Sequence, residues 1–240
     1  MKAPSQQQTE SSVRKNISFF RDRRASYADQ VRNLDTYVNI RASTNEALRG
    51  INRLLDIGNG GTFDYDASLV RELVAVDLFL EDLAQAEFPP NVIARNGSAL
   101  DIPEADAAFD GVVMSMLIHH LVGTTVSKCR SNVSRAIAEA FRVLKPGGKL
   151  VVVESCVPGW FYGFENLVFP VASRLIPLCV PHPATLQFPP SFILGLIESH
   201  TSNVTLTPIP LGRWVIQYGF KYPSVLTPAA PFRFVAIKRN

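Results

Sequence analysis

The residues with the most chemistry to offer in this 240-residue chain stand at four places. The first is Leu54-Leu55-Asp56-Ile57, running into Gly58-Asn59-Gly60-Gly61-Thr62. Apolar residues that suit a strand covered on both faces lead into glycines, which let the backbone bend sharply and approach a ligand because no Cβ intervenes. The second is Asp77, 21 residues after Asp56, at the end of the apolar run from Glu72 to Val76. That is close to the roughly 20-residue spacing of a carboxylate that holds ribose hydroxyls. The third is the pair His119 and His120, and the fourth is Glu154. An imidazole near neutral pH can take a proton from a hydroxyl or amine. Glu154 and His182 are further candidates for that task. For His119 and His120 a plain role, packed or hydrogen-bonded to backbone, ranks ahead of the catalytic one.

These positions need elements to hold them. Strands are expected at about 52–57, 72–77, 91–95, 110–116 and 149–154, each ending beside a chemically active residue. Ser43-Thr44-Asn45-Glu46 reads as a capping box that opens a fresh helix ended by Gly50. Val133, Ile137, Ala140, Phe141 and Leu144 form one apolar helical stripe, stopped by Pro146-Gly147-Gly148. Alternation of strands and helices predicts an α/β fold, a mainly parallel sheet with helices on both faces. A last helix is expected near 190–197 and closing strands at 204–209 and 232–238. Residues 1–12 are polar and expected to be disordered.

Composition narrows the function. Hydrophobic residues make up 47% and charged ones 19%, so a large core is available in one domain. Net charge is +3, which argues against bulk nucleic-acid binding. Residues 1–53 carry ten basic and five acidic side chains, which reads as a solvated basic face. Cys129, Cys156 and Cys179 lack metal-ligand or disulfide spacing and suit a reducing, cytoplasmic setting. No metal cluster is expected, and no run of 18 apolar residues predicts a membrane-spanning helix. Residues 155–212 change character, with three charged side chains and nine of the seventeen prolines, which argues against long regular helices there.

The glycine turn alone is weak. A nicotinamide fingerprint needs a third glycine at position 63, where Phe63 stands, so an NAD-dependent oxidoreductase is disfavoured. The ordered set tells more: the turn, Asp77, Phe109-Asp110-Gly111-Val112-Val113-Met114, and Arg142-Val143-Leu144-Lys145-Pro146-Gly147-Gly148-Lys149-Leu150. Over about residues 50 to 155 it resembles the class I S-adenosylmethionine-dependent methyltransferases, in the branch similar to the ubiquinone/menaquinone methyltransferases. The resemblance implies a three-layer Rossmann-like fold with seven mostly parallel strands, and S-adenosyl-L-methionine as cofactor. It implies that Asp56, Gly58 and Gly60 line the methionine portion, Asp77 the ribose, and Ser98 and Ala99 the adenine. It also implies a helical cap over residues 13–50, with Tyr27 closing the site, and a substrate lid over 155–190. Thr62 replaces the family's third glycine, so a different path is expected after the turn, with a shortened helix capped by Asp64 and Asp66.

Methyl transfer from a sulfonium needs alignment and exclusion of water more than a catalytic triad, and none is visible. His119, His120 and Glu154 are the candidate bases. Trp160, Phe161, Tyr162, Phe164 and His182 are candidates to wall the acceptor. The expected acceptor is a small, largely apolar or aromatic metabolite, methylated on O or N. A quinone or lipid-like acceptor at a membrane surface stands as the alternative, with the apolar run Leu167–Val180 able to touch that surface. A methyltransferase-like protein without cofactor affinity is the reading outside catalysis.

Overall fold

The fold is a computed structural model that describes residues 33–80, 87–179, 185–217 and 220–239. Tyr27, His182 and the N-terminal tail lie outside the described residues. Helix α1 spans Asp35–Leu48, followed by strands β1 (Arg53–Ile57), β2 (Glu72–Asp77), β3 (Val92–Asn96) and β4 (Phe109–Ser115). Helix α2 (Val126–Val143) leads into β5 (Leu144–Cys156). Then come α3 (Gly159–Cys179), α4 (Pro190–Glu198), β6 (Val204–Pro208), the pair β7 (Trp214–Gln217) and β8 (Phe220–Pro223), and β9 (Ala230–Ile237).

Seven strands form one sheet in the order β3-β2-β1-β4-β5-β9-β6. Neighbours from β3 to β5 pair in parallel, and β9 runs antiparallel to both β5 and β6. The expected sheet is thus present. Strand alternation splits the core in two. Leu55, Ile57, Val112, Met114 and Val152 pack with α2, α3 and α4 on one face. Leu54, Leu73, Val113 and Val151 pack with Ile40 and Leu48 of α1 on the other. The stripe is buried along α2 from Val133 to Phe141, but the helix ends at Val143, before Pro146, and Leu144 opens β5; Thr125 caps the helix by accepting from the Lys128 N–H.

Three local expectations need correction, and one element was not expected. Ser43 opens no fresh helix: α1 is continuous, and the Thr44 hydroxyl donates back to the Ile40 carbonyl instead. The connection between β1 and β2 holds no α-helix, only a 3₁₀ turn at Ala67–Leu69. Asp66 caps that turn through the Ser68 N–H, whereas Asp64 accepts from the Ser115 hydroxyl. Buried Tyr65 and Val70 fill the space against the sheet. Third, α3 is a 21-residue helix despite Pro170 and Pro177. Pro170 lies on the exposed side, where water can satisfy the carbonyl left without its N–H. Finally, the β7–β8 ribbon was not foreseen; its short runs carry no clear alternation.

Candidate active site

The carboxyl ends of β1, β2 and β4 converge on a cavity of about 940 Å³, at the upper end of the roughly 300–1,000 Å³ typical of small-molecule sites. Gly58, Gly60, Asp77, His119 and His120 all line it. The cavity is therefore built where open α/β sheets hold their ligands.

The glycine turn earns its residues by conformation. Gly58, Gly60 and Gly61 have φ of +76°, +61° and +78°. A Cβ on Gly58 would also collide with Leu117, which follows β4. The turn is pinned by Asp77, whose Oδ2 accepts from the Gly60 N–H at 2.9 Å and whose Oδ1 accepts from the Leu78 N–H at 2.6 Å. Each oxygen keeps a lone pair for a ligand hydroxyl. Burial raises the Asp77 carboxyl above its ordinary value, opposed by those two N–H groups.

Asp56 sits behind the turn, outside the cavity lining, and is almost wholly buried. Its Oδ2 accepts from the Tyr65 hydroxyl at 2.6 Å. Burial pushes its pKa to about 7, opposed by hydrogen bonds from Tyr65 and Asn59. Tyr65 comes from the irregular β1–β2 connection, so the missing helix is replaced by a side chain that caps the buried acid. Spacing gave no sign of this contact.

The second half of the site is a histidine–glutamate pair. Met116 follows β4 with φ of +52°, a left-handed conformation uncommon for a side chain with a Cβ. The chain then folds into a 3₁₀ turn, Ile118–His120. His119 Nδ1 lies 2.6 Å from Glu154 Oε1 at the end of β5. Glu154 also accepts from the Ile118 N–H at 2.6 Å and the Ser155 N–H at 2.8 Å. An ionised carboxylate only accepts, so Nδ1 carries the proton and Nε2 the lone pair. Glu154 is itself buried and held by three donors. Its position suits an orienting group for His119 rather than a second base.

Other expected residues fall elsewhere. Ser98 and Ala99 do not line the cavity: the Ser98 hydroxyl accepts from the Leu100 N–H, and Ala99 packs against the core. None of Trp160, Phe161, Tyr162 and Phe164 lines it either. Tyr162 is buried, with its ring 5.6 Å from that of Phe188 and its hydroxyl accepting from Arg130, while Trp160 and Phe164 are exposed. Helical periodicity turns the four aromatics in different directions, which a run of aromatic letters conceals.

Gln187, which no sequence pattern singles out, is a buried residue of the cavity wall whose Nε2 donates to the Ser155 hydroxyl at 3.0 Å and whose Oε1 has no partner. Glu165 stands nearby without a sequence signal; burial raises its carboxyl to about 7, opposed first by the Gln187 backbone N–H. Leu186 donates to the His119 carbonyl, which draws this segment to the site. A glutamine in a proline-rich stretch offers no periodic signal. Among the described residues no cluster of His, Cys, Asp and Glu could hold a metal ion, and no helix is long and apolar enough to cross a membrane.

Comparison with known proteins agrees with this geometry. Residues 38–152 match the family described as a methyltransferase domain. The chain is 31% identical over 143 residues to an uncharacterised methyltransferase of Schizosaccharomyces pombe, covering 58% of this chain and 50% of that protein. It is 35% identical over 123 residues to a ubiquinone/menaquinone biosynthesis C-methyltransferase of Rubrivivax gelatinosus, covering 48% and 45%. The chain thus spans about half the length of these curated relatives. The fold is similar to that of Burkholderia thailandensis 1,6-didemethyltoxoflavin-N1-methyltransferase, solved with its acceptor and S-adenosylhomocysteine. The TM-score is 0.62 at 16% identity, covering 100% of this chain and 92% of that one. The sheet order, the glycine turn and the match over residues 38–152 all agree with a methyltransferase domain.

Proposed function

We propose that this protein transfers a methyl group from S-adenosylmethionine to an oxygen or nitrogen of a small, largely apolar or aromatic acceptor. The observation that carries the reading is the shared cavity. The glycine turn and Asp77 lie on its wall together with His119, whose Nδ1 is held by Glu154. The residues fit the cofactor: Gly58 and Gly60 put backbone without side chains on the cavity wall, and Asp77 presents a buried carboxylate with lone pairs to spare. Gly58 and Gly60 would lie along the methionine portion and Asp77 on the ribose hydroxyls. The bound cofactor supplies an activated methyl on a sulfonium.

The chain's own part is to align and to remove a proton. His119 Nε2 is the free base of the pair and takes the proton from the acceptor hydroxyl or amine. Glu154 steadies the imidazolium that results. His120, whose ring centroid lies 4.2 Å from that of His119, limits the ring's motion. Gln187, on the wall beside Ser155, offers the acceptor a hydrogen-bonding atom. The relative named for quinone biosynthesis favours a second acceptor class, a lipid-soluble quinol, for the same machinery.

Calorimetry with S-adenosylhomocysteine tests the cofactor. Binding should weaken about 10- to 100-fold in Asp77→Asn, as expected for loss of a charge-assisted hydrogen bond. No heat of binding to the native protein at millimolar ligand refutes the reading and leaves a methyltransferase-like scaffold.

A further inference from the structure

The β7–β8 ribbon borders both the cavity and solvent. Val215, Ile216 and Tyr222 line the cavity. Beside them an apolar knob faces solvent: Val225 is 87% exposed and Leu226 70%, on the 3₁₀ turn Ser224–Leu226, with Trp214 also exposed. The knob is one patch, because Trp214 pairs with Pro223 in the ribbon and the Ser224 N–H donates to the Arg213 carbonyl. The ribbon's own charges are basic, while exposed Asp35 of α1 lies against Gly212 next to them. Lys221 Nζ stands 5.6 Å from the centre of the Trp214 ring, and Arg213 is exposed beside it. Between residues 213 and 226 the charged side chains are Arg213 and Lys221, both basic.

A second apolar surface rises from the same edge of the sheet. Helix α3 starts three residues after β5 ends, and its outward side chains are Trp160, Phe164, Leu167 and Val171, with Leu167 79% exposed. No charged side chain belongs to that exposed set.

We propose that the carboxyl edge of the sheet docks on an anionic lipid surface, with Trp214, Val225 and Leu226 inserted and Arg213 and Lys221 at the headgroups. Exposed Trp and aliphatic side chains ringed by Lys and Arg are the composition of an interfacial anchor. A stable protein–protein interface uses about 20–30 residues a side, far more than this knob supplies, whereas a bilayer accepts a small insertion without a matching shape. Docking brings a wall of the cavity to the membrane, where a lipid-soluble molecule can enter without crossing water.

The test is sedimentation of the full chain with sucrose-loaded vesicles of phosphatidylcholine alone or with added phosphatidylglycerol. Binding should appear with the anionic lipid and fall as salt rises. The exposed double variant V225E/L226E should lower partitioning about tenfold or more, and R213Q/K221Q by about fivefold for each lost charge. Circular dichroism of each variant checks the fold. Absence of vesicle binding by the native chain overturns the proposal, as does binding unchanged in both variants. A concentration-dependent dimer in sedimentation equilibrium that V225E/L226E abolishes assigns the knob to a second copy and overturns it too. No turnover is measured, so failure here leaves the methyl-transfer reading untouched.

Discussion

Glu154→Gln isolates the function of the histidine–glutamate pair. The change keeps shape and removes charge. Glu154 accepts three N–H groups, from His119 Nδ1 and Ser155 on Oε1 and from Ile118 on Oε2. A carboxamide has one oxygen, so one site must become an NH₂. If the oxygen faces His119 and Ser155, the NH₂ meets the Ile118 N–H. If it faces Ile118, the NH₂ meets the Ser155 N–H and His119 must move its proton to Nε2. Either orientation leaves a buried backbone donor unpaired, at about 1–3 kcal/mol. For a chain of this size the melting temperature should drop by about 2–12 °C. The second orientation also removes the base, and methyl transfer should then slow by about 10² to 10⁴. Nitrogen-15 NMR of the imidazoles reads the tautomer directly, without a known acceptor. The native spectrum should place the His119 proton on Nδ1. A proton on Nε2 in the native protein, or a Gln variant with an unchanged melting temperature, refutes the reasoning.

Two further outcomes are expected. Gly58→Ala combines a left-handed backbone at φ +76° with a collision against Leu117, so it should lose S-adenosylhomocysteine binding in calorimetry and unfold at lower urea. Asp56 makes stability depend on pH. Its folded pKa of about 7 lies above the unfolded value of roughly 3.9, so the folded state holds the extra proton between them. Stability should therefore fall as pH rises from about 4 to 7, by roughly 4 kcal/mol from this group, and stay level above. Asp56→Asn should flatten that slope in urea unfolding at pH 5 and 8; an unchanged slope would show that Asp56 is ionised across the range.

The sheet and the glycine turn of the candidate site were legible in the residues one by one. Strands that end in Asp56, Asp77 and Glu154 carry dense apolar runs, because a parallel sheet covered on both faces demands them. The glycine turn was legible because only glycine tolerates its backbone angles and the closeness of Leu117. The stripe of α2 was legible because a 3.6-residue period survives in the letters. Pairings between distant residues were not. That Glu154 holds His119 across 35 residues, rather than acting as a separate base, depends on the adjacency of β4 and β5. That Tyr65 caps Asp56 follows from the loss of a helix between β1 and β2, which Thr62 and Phe63 hinted at without indicating what replaces it. The aromatics of α3 look alike in sequence, yet rotation about the helix buries Tyr162 and turns Trp160 and Phe164 to solvent. Local preference and period are written residue by residue. Which side chains meet is decided by strand order and by the faces left uncovered when the sheet is packed, and that is a property of the whole chain.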